Sequence, residues 1–190
     1  MVDAVRQANT TILVWAGFPQ VRSVVGSHTT EEAQMTFGIV AAGEGQAAWL
    51  VGDTYTIKAT AESTGGLFGL VEASVPAGGG PPPHVHSRED EAFYLLDGEL
   101  EFATEGTLAV AQAGDFVYLP RGSVHSFRNI GLLPARMLVL VTPGGFERFF
   151  VEAGRPARRG EQAPPVDPAD FARVAEFSER FGAELVGRVA

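Results

Sequence analysis

Residues 78–102 read GGGPPPHVHSREDEAFYLLDGELEF and contain two of the four histidines in the chain. His84 and His86 are separated by one valine and follow three consecutive prolines. In an extended segment the two side chains point to the same face, roughly 6–7 Å apart at the backbone, so both imidazoles can bind one ion. The alternative interpretation is a surface loop, because a His-X-His pair alone is a weak signal for a metal site.

The acidic run after the histidines offers one carboxylate for the same ion. Glu91 begins the apolar run EAFYLL, and in a strand it would face inward in alternation with Phe93 and Leu95. Asp90 would then face away, and Glu89 lies in the turn before the strand. Glu91 is therefore the predicted carboxylate ligand, and we expect Glu89→Ala to have little effect.

A third imidazole lies far along the chain. His125 follows a turn at residues 120–122 and opens a strand in which Phe127 would share its face. In an antiparallel barrel, strands distant in sequence can be neighbours, so His125 can complete the set. Three neutral imidazoles and one carboxylate suit Fe, Mn, Co, Ni, Cu or Zn, and leave room for water or substrate. The prediction is one divalent transition metal ion as cofactor.

The middle of the chain has an all-β pattern. Between Ala47 and Thr142, short runs rich in Val, Ile, Leu, Phe and Tyr alternate with turns that contain glycine, which is typical of an antiparallel sandwich or barrel. Asp97-Gly98 within YLLDGELEF predicts a hairpin between two apolar strands. The segment LAVAQAGDFVYLP, residues 108–120, predicts a second, looser hairpin.

The two ends of the chain have a different texture. We expect a division into an N-terminal extension (1–45), a barrel (46–145) and a C-terminal helical tail (146–190). The extension would hold strands around Ile12–Trp15 and Gln34–Val40, with Thr29 or Thr30 capping a short helical turn.

The tail is predicted to contain two helical stretches. The first carries three phenylalanines at helical spacing. The second opens with Asp167 as N-cap and Pro168 at the first helical position, and it ends at Gly182. The apolar residues expected to pack are Phe146, Phe149 and Phe150 in the first, and Phe171, Val174, Phe177 and Phe181 in the second.

Composition excludes several classes of function. The 190 residues carry a net charge of −9, whereas a nucleic-acid partner requires a basic face. The chain has no cysteine, which excludes disulfides, thiolate catalysis and sulfur-ligated zinc. No apolar run reaches the length of a membrane span, and the run TILVWAGF lacks the features of a signal peptide. We expect a cytoplasmic protein with neither a membrane nor a nucleic acid as partner.

Two spaced patterns raise the metal hypothesis above the loop interpretation. The first consists of Gly78, His84, His86, Glu91 and Gly98, and the second of Gly114, Pro120, Gly122, His125 and Asn129. Together they resemble the two signature motifs of the cupin superfamily. The resemblance covers residues 47–142 and implies a jelly-roll β-barrel with short C-terminal helices. It implies that His84, His86, Glu91 and His125 are the metal ligands, and that Gly98 and Gly122 serve turns where a side chain would interfere.

Within the superfamily, the chain resembles single-domain cupins described as quercetin 2,3-dioxygenase-like. The segments that carry this resemblance are GDTYTIKATAESTGG, the histidine stretch itself and the tail GGFERFF before a helix. In the dioxygenases of that group the ion binds the flavonol oxygen, and the ligating glutamate takes the proton. Carried over, this makes Glu91 both a ligand and the catalytic base.

The leading hypothesis is therefore a metal-dependent dioxygenase that acts with molecular oxygen on a small aromatic or enolisable compound. Phe93 and Phe127 would give the ion an apolar substrate pocket, or would simply be barrel core. One alternative is a non-oxidative isomerase, cyclase or lyase that uses the ion as a Lewis acid. Another is a non-catalytic module that binds a small molecule. Open sheet edges and the N-terminal extension predict a homodimer.

Overall fold

The computed structural model of the protein describes residues 3–7, 10–14, 38–158 and 160–187. They belong to two units that divide between Glu32 and Ala33. The first unit contains an antiparallel pair, β1 (Asp3–Gln7) and β2 (Thr10–Val14). The second contains all the other elements. The division into three parts at residues 45 and 145 stays a prediction.

Strand β2 confirms the strand expected around Ile12–Trp15. Residues 38–40 are not in a strand, so the strand predicted over Gln34–Val40 is wrong for its last three residues. Residues 34–37 lie outside the described part of the chain. The predicted cap at Thr29 or Thr30 also lies outside it.

The second unit is built from two antiparallel sheets. Its described strands are β3 (Ala47–Leu50), β4 (Asp53–Ala59), β5 (Gly69–Val75), β6 (His84–His86), β7 (Asp90–Asp97), β8 (Glu99–Thr104), β9 (Thr107–Gln112), β10 (Phe116–Leu119), β11 (His125–Asn129), β12 (Ala135–Thr142), β13 (Arg155–Pro156) and β14 (Ala183–Leu185). One sheet has the order β10-β7-β12-β5-β4-β3-β13, and the other has the order β14-β6-β11-β8-β9.

The two sheets enclose one apolar core. Along β5 and β12, every second residue is buried, and Val71, Met137 and Val139 lie between the sheets. Alternation of this kind is what a sheet with one face on a core requires. The predicted all-β jelly-roll barrel is confirmed.

The predicted hairpin at Asp97-Gly98 is wrong. Strand β7 pairs with β10 and β12, whereas β8 pairs with β9 and β11. The Asp-Gly turn thus carries the chain from one sheet to the other. Gly98 has φ +79°, and a Cβ there would lie 2.9 Å from Ala135, so the turn does exclude a side chain.

The second predicted hairpin fails in the same way, since β9 and β10 belong to different sheets. The hairpin that does form here joins β8 to β9, with Thr104 opposite Thr107. Apolar strands around a glycine turn look alike whether the chain pairs with itself or crosses between sheets. Closure of the barrel decides between the two, and that is not a local property.

The second motif ends at Asn129, a buried residue that forms three hydrogen bonds to the backbone. Asn129 donates from Nδ2 to the carbonyl oxygens of Val75 (2.8 Å) and Leu133 (2.9 Å), and its Oδ1 accepts from the Gly131 N–H. Gly122 donates its N–H to the His86 carbonyl at 2.8 Å. Its φ is +82°, yet no atom lies within 4 Å of a Cβ built there. Glycine is therefore required at 122 by backbone conformation and not, as expected, by interference with a side chain.

The C-terminal third supplies the two described helices, α1 (Glu147–Ala153) and α2 (Pro168–Arg180). Asp167 caps α2 by accepting a hydrogen bond from the Ala169 N–H. The Asp170 carboxylate in turn accepts one from the Asp167 N–H. This confirms the predicted start. Phe171 is 42% exposed, so it does not belong to the packed stripe as predicted. No helix in the described residues is long and apolar enough to cross a membrane.

Strand β14 was not predicted. It places Ala183 opposite His86 and Leu185 opposite His84, on the side of β6 away from β11. Its three residues follow α2 directly and have no alternating pattern long enough to indicate a strand. The histidine strand is therefore covered by the C-terminal end of the described chain.

Candidate metal centre

Four side chains from both sheets converge at one point. His84 and His86 lie on β6, His125 on β11 and Glu91 on β7. One imidazole nitrogen or carboxylate oxygen from each lies within 4.8 Å of the others. The register places His125 directly opposite His84, and Glu91 reaches the cluster from the facing sheet. The structure thus brings together all four predicted ligands.

The backbone sets the orientation of two of the imidazoles. Nδ1 of His84 lies 3.0 Å from the Pro82 carbonyl oxygen, and Nδ1 of His125 lies 3.0 Å from that of Ser123. A carbonyl only accepts hydrogen bonds, so in both rings Nδ1 carries the proton. In the neutral ring the lone pair then resides on Nε2, which is the arrangement of a metal-binding histidine with an outer hydrogen bond.

The third imidazole has no hydrogen-bond partner among the described residues. Both ring nitrogens of His86 are buried without one, and the residue is only 2% exposed. Its Nε2 lies 3.3 Å from Glu91 Oε2, and Nε2 of His125 lies 2.9 Å from the same oxygen. A buried polar atom left in this way is costly unless something outside the chain satisfies it.

These donors fit a transition metal ion. Ligands bound to one ion at about 2.0–2.2 Å and at right angles are about 3 Å apart, which matches the separations around Glu91 Oε2. Imidazole nitrogens with one carboxylate form a set that several first-row divalent ions accept. The arrangement therefore fits the predicted cofactor without selecting one metal.

The charges within the cluster favour ligand forms at neutral pH. Burial lowers the pKa of His84 to about 4 and also lowers the pKa of His86. Burial works against ionisation of Glu91, but the surrounding imidazoles of His86, His125 and His84 lower its pKa to about 2. For His125, the effect of burial is outweighed by Glu91, which raises its pKa. Glu91 is therefore a carboxylate, and His84 and His86 are neutral imidazoles.

The two acidic residues that precede Glu91 differ in their surroundings: Asp90 faces away from the cluster, as predicted, and Glu89 is buried beside it. Asp90 faces away and accepts three hydrogen bonds from Arg121, at 2.9–3.1 Å. Glu89 is only 6% exposed, its Oε2 has no hydrogen-bond partner, and that oxygen lies 3.9 Å from Nδ1 of His86. Burial raises its pKa to about 7. Glu89 lies in the turn before β7, as predicted, but its burial beside His86 was not expected, and no local pattern indicates it.

An apolar cavity opens beside the cluster. The volume of this cavity is about 70 Å³. Phe93 and Phe127 both line it, and they also contact each other with ring centroids 5.8 Å apart. The two residues predicted for the pocket thus lie at the cavity and in the core at once. The other lining residues include His84, His86, Glu91, Phe146, Phe149, Phe150 and Leu185.

Sequence reasoning missed several residues of this cavity. Phe146 was expected only to pack against the barrel, yet its ring meets His86 edge-on, with centroids 4.2 Å apart. Asp53 and Tyr55 on β4 also line the cavity and were not singled out. One signal was present: in the strand DTYTIKA, Asp53 occupies an inward-facing position of an otherwise apolar alternation.

The comparisons with known proteins agree with this geometry. Residues 71–141 match the family model Cupin_2, described as a cupin domain. Quercetin 2,3-dioxygenase of Bacillus subtilis is 31% identical over 118 residues, which cover 62% of this chain and 35% of that protein. A germin-like protein of Arabidopsis thaliana (subfamily 2 member 2) is 41% identical over 74 residues, 36% of this chain and 34% of that protein. The chain spans about a third of the length of both relatives.

Among solved structures, one similar chain is a predicted oxalate decarboxylase from Thermotoga maritima. It superposes with a TM-score of 0.53 at 21% sequence identity, over 56% of this chain and 99% of its own. At that identity the likeness concerns the fold alone.

Proposed function

For this member of the cupin superfamily we propose a metal-dependent oxygenation of a small aromatic or enolisable compound that bears oxygen. The observation that carries the proposal is the convergence of four possible metal ligands, His84, His86, Glu91 and His125, beside an apolar cavity. The similarity to a quercetin 2,3-dioxygenase supports this reaction class. Molecular oxygen is the proposed second substrate.

The four residues would hold one divalent ion. When bound, the ion supplies a Lewis acid that polarises the substrate oxygen and a centre at which oxygen can react. The hydrogen bonds at Nδ1 keep the Nε2 lone pairs of His84 and His125 directed into the cluster. Glu91 keeps its carboxylate ionised because the imidazoles stabilise the charge.

Glu91 is the proposed base. Its carboxylate takes the hydroxyl proton of an enol or phenol, so that the substrate reacts as its anion, and it returns the proton to the product. Phe93 and Phe127 supply an apolar wall, which favours a flat aromatic substrate and keeps water away.

Oxygen uptake tests the proposal. Metal-free protein is reconstituted separately with Fe, Mn, Co, Ni, Cu and Zn, and each form is assayed with a panel of flavonols and smaller enols in an oxygen electrode. We expect uptake with at least one redox-active ion, its loss in Glu91→Ala and its retention in Asp90→Asn. No uptake across the panel contradicts the proposal.

Two other outcomes would assign a different function to the same site. Turnover with zinc under nitrogen would indicate a non-oxidative isomerase, cyclase or lyase. A ligand that is held unchanged through prolonged incubation with metal and air would indicate a binding module.

We also propose a homodimer. Large apolar side chains are exposed on the outer faces of β7, β9 and β10, namely Tyr94, Leu96, Leu108, Val110, Phe116 and Tyr118. Strands β9 and β10 are edges of their sheets, and an apolar face at open edges favours a second copy of the chain. Light scattering that gives a monomer at micromolar concentration would contradict the dimer. The cytoplasmic location stays a prediction.

A further inference from the structure

A second polar pair lies on the wall of the metal-centre cavity. Asp53 and Tyr55 project from the inner face of β4 and line the same cavity as His84, His86 and Glu91. Asp53 is only 2% exposed and Tyr55 only 5% exposed. Neither belongs to the four-residue cluster, and the proposed reaction uses neither.

The pair is fixed on one side and unsatisfied on the other. Tyr55 donates its hydroxyl hydrogen to Asp53 Oδ2 at 3.0 Å, and its ring stacks on Phe150 at 4.2 Å between centroids. Oδ1 of Asp53 is buried and has no hydrogen-bond partner in the described part of the chain. A Cβ on Gly79 would lie 2.8 Å from this oxygen, so glycine at 79 lets the carboxyl lie this close to the backbone. The carboxyl is thus held in place with one acceptor unused.

A strained turn presents the aspartate. Leu50 and Asp53 close the tight turn between β3 and β4, and Val51 within it has φ +50°. A β-branched residue rarely adopts this left-handed conformation, which persists only where the surroundings enforce it and is often found at functional sites. Leu50 and Val51 also line the cavity, so the strain is located at the cavity wall.

The electrostatic surroundings do not compensate Asp53. It forms no ion pair with any described residue, and burial raises its pKa to about 7 although the Tyr55 hydrogen bond opposes this. Burial, then the charge of Asp53, raises the pKa of Tyr55 well above its usual value, so the phenol remains a donor. A carboxyl with a purely structural role would be expected to have both oxygens satisfied.

We propose that Asp53, held by Tyr55, is a second anchor that accepts a hydrogen bond from a hydroxyl group of the bound substrate. The inference rests on the proposed function and narrows its substrate. The compound carries one oxygen group that reaches the ion and a separate hydroxyl that reaches Oδ1 of Asp53. A site built to satisfy a hydroxyl discriminates strongly against the analogue that lacks it, because its own buried acceptor is then left unpaired.

Matched ligand pairs test the anchor. One pair is kaempferol and galangin, two flavonols that differ by one hydroxyl on the pendant ring. The other is 5-hydroxy-2-(hydroxymethyl)-4-pyranone and its 2-methyl analogue, which differ by one hydroxyl on a smaller chelator. Binding is measured by calorimetry on zinc-loaded protein for the wild type, Asp53→Leu, Tyr55→Phe and the surface control Asp90→Asn, with zinc content determined for each.

We expect the hydroxylated member of at least one pair to bind wild type and Asp90→Asn about tenfold more tightly than its partner. In Asp53→Leu the preference falls below about twofold, while zinc content and the affinity of the partner are kept. If Asp53→Leu does not fold, Tyr55→Phe decides: releasing the carboxyl should change the preference by at least about threefold.

Equal binding of both members in both pairs by the wild type overturns the anchor, and so does a preference that persists in Asp53→Leu. Those results leave the metal proposal intact. A wild type that binds no zinc or no chelator overturns the proposed function itself, and the anchor with it.

Discussion

Two regions of the molecule bury a glutamate, and they do so in opposite ways. Glu147 at the start of α1 is fully buried and accepts from the N–H groups of Ala61 (2.7 Å) and Gly145 (2.6 Å). Glu91 is 5% exposed, and it contacts imidazoles: Nε2 of His86 and Nε2 of His125 both lie close to its Oε2. The first carboxylate is satisfied by the backbone. The second lies among imidazoles that could bind a metal ion together with it.

The difference shows how a buried acid can be interpreted. Where backbone donors satisfy a carboxylate, its burial is explained by the fold, because it ties together segments that are distant in sequence. Where imidazole nitrogens surround a buried carboxylate, the group can hold a metal cation. Breaking each region should therefore produce a different kind of loss.

Removing a member of the cluster should have the largest effect. Glu91→Ala, or alanine at His84, His86 or His125, removes one of four donors, and metal affinity should fall by more than about 100-fold, beyond the usual cost of losing an outer-shell partner. Metal-to-protein ratios measure this, and circular dichroism should show that the fold survives. Retention of metal and activity in Glu91→Ala, with loss of metal in Glu89→Ala, would refute the assignment of the acidic ligand.

Glu147→Ala should reverse that pattern. Two N–H groups at Ala61 and Gly145 would lose their acceptor in a buried site, which should lower the free energy of unfolding by about 3 kcal/mol. Urea denaturation measures the loss. Folded protein should bind metal with unchanged stoichiometry, and a loss of metal without a loss of stability would abolish the contrast between the regions.

Asp53 is intermediate between Glu147 and Glu91, because only one of its oxygens, Oδ2, accepts a hydrogen bond from a described residue. Its effect on stability should depend on pH. Its pKa is raised from 3.8 to about 7, so it favours the folded state below about pH 4 and loses that contribution as the pH rises through 7. Relative to wild type, Asp53→Asn should therefore gain stability between pH 4 and pH 8, by about 4 kcal/mol if the whole pKa shift is realised. Urea denaturation at both pH values measures this gain. If the difference in stability between Asp53→Asn and wild type were the same at both pH values, the pKa of Asp53 would not be raised.

The smallest expected effect concerns Glu89. Its Oε2 lies 3.9 Å from Nδ1 of His86, the ring that no hydrogen bond orients. Glu89→Gln should lower metal affinity by about tenfold, the lower end of the usual cost of losing an outer partner. Asp90→Asn, which alters only the pair with Arg121, is the matched control and should leave metal affinity unchanged. Equal effects of the two substitutions would remove Glu89 from the site.

The sequence was most informative where function restricts a short segment. The inward direction of Glu91 followed from strand alternation alone, and Asp167 with Pro168 marked the start of α2 correctly. His125 is 39 positions from His86, but a barrel joins distant strands, and the two spaced motifs placed it with the others.

The failures have a common physical cause. At Asp97-Gly98 the local signal was interpreted as a hairpin, because which strands become neighbours depends on closure of the whole barrel. Burial of Glu89 and Asp53 depends on packing by segments far away in sequence. Strand β14 has three residues, and it forms only because β6 presents an open edge.

The pairing of β14 with β6 has a consequence for the order of synthesis. On the β11 side, β6 is held by a single residue pair, His125 with His84, whereas β14 pairs with all three of its residues. A ribosome completes residues 84–86 about a hundred residues before it reaches 183–185. During translation His84 and His86 therefore emerge well before β14, the strand that pairs with all three residues of β6. We expect a nascent chain that stops before residue 183 to take up metal poorly, so that loading of the ion is a late event in the life of the polypeptide.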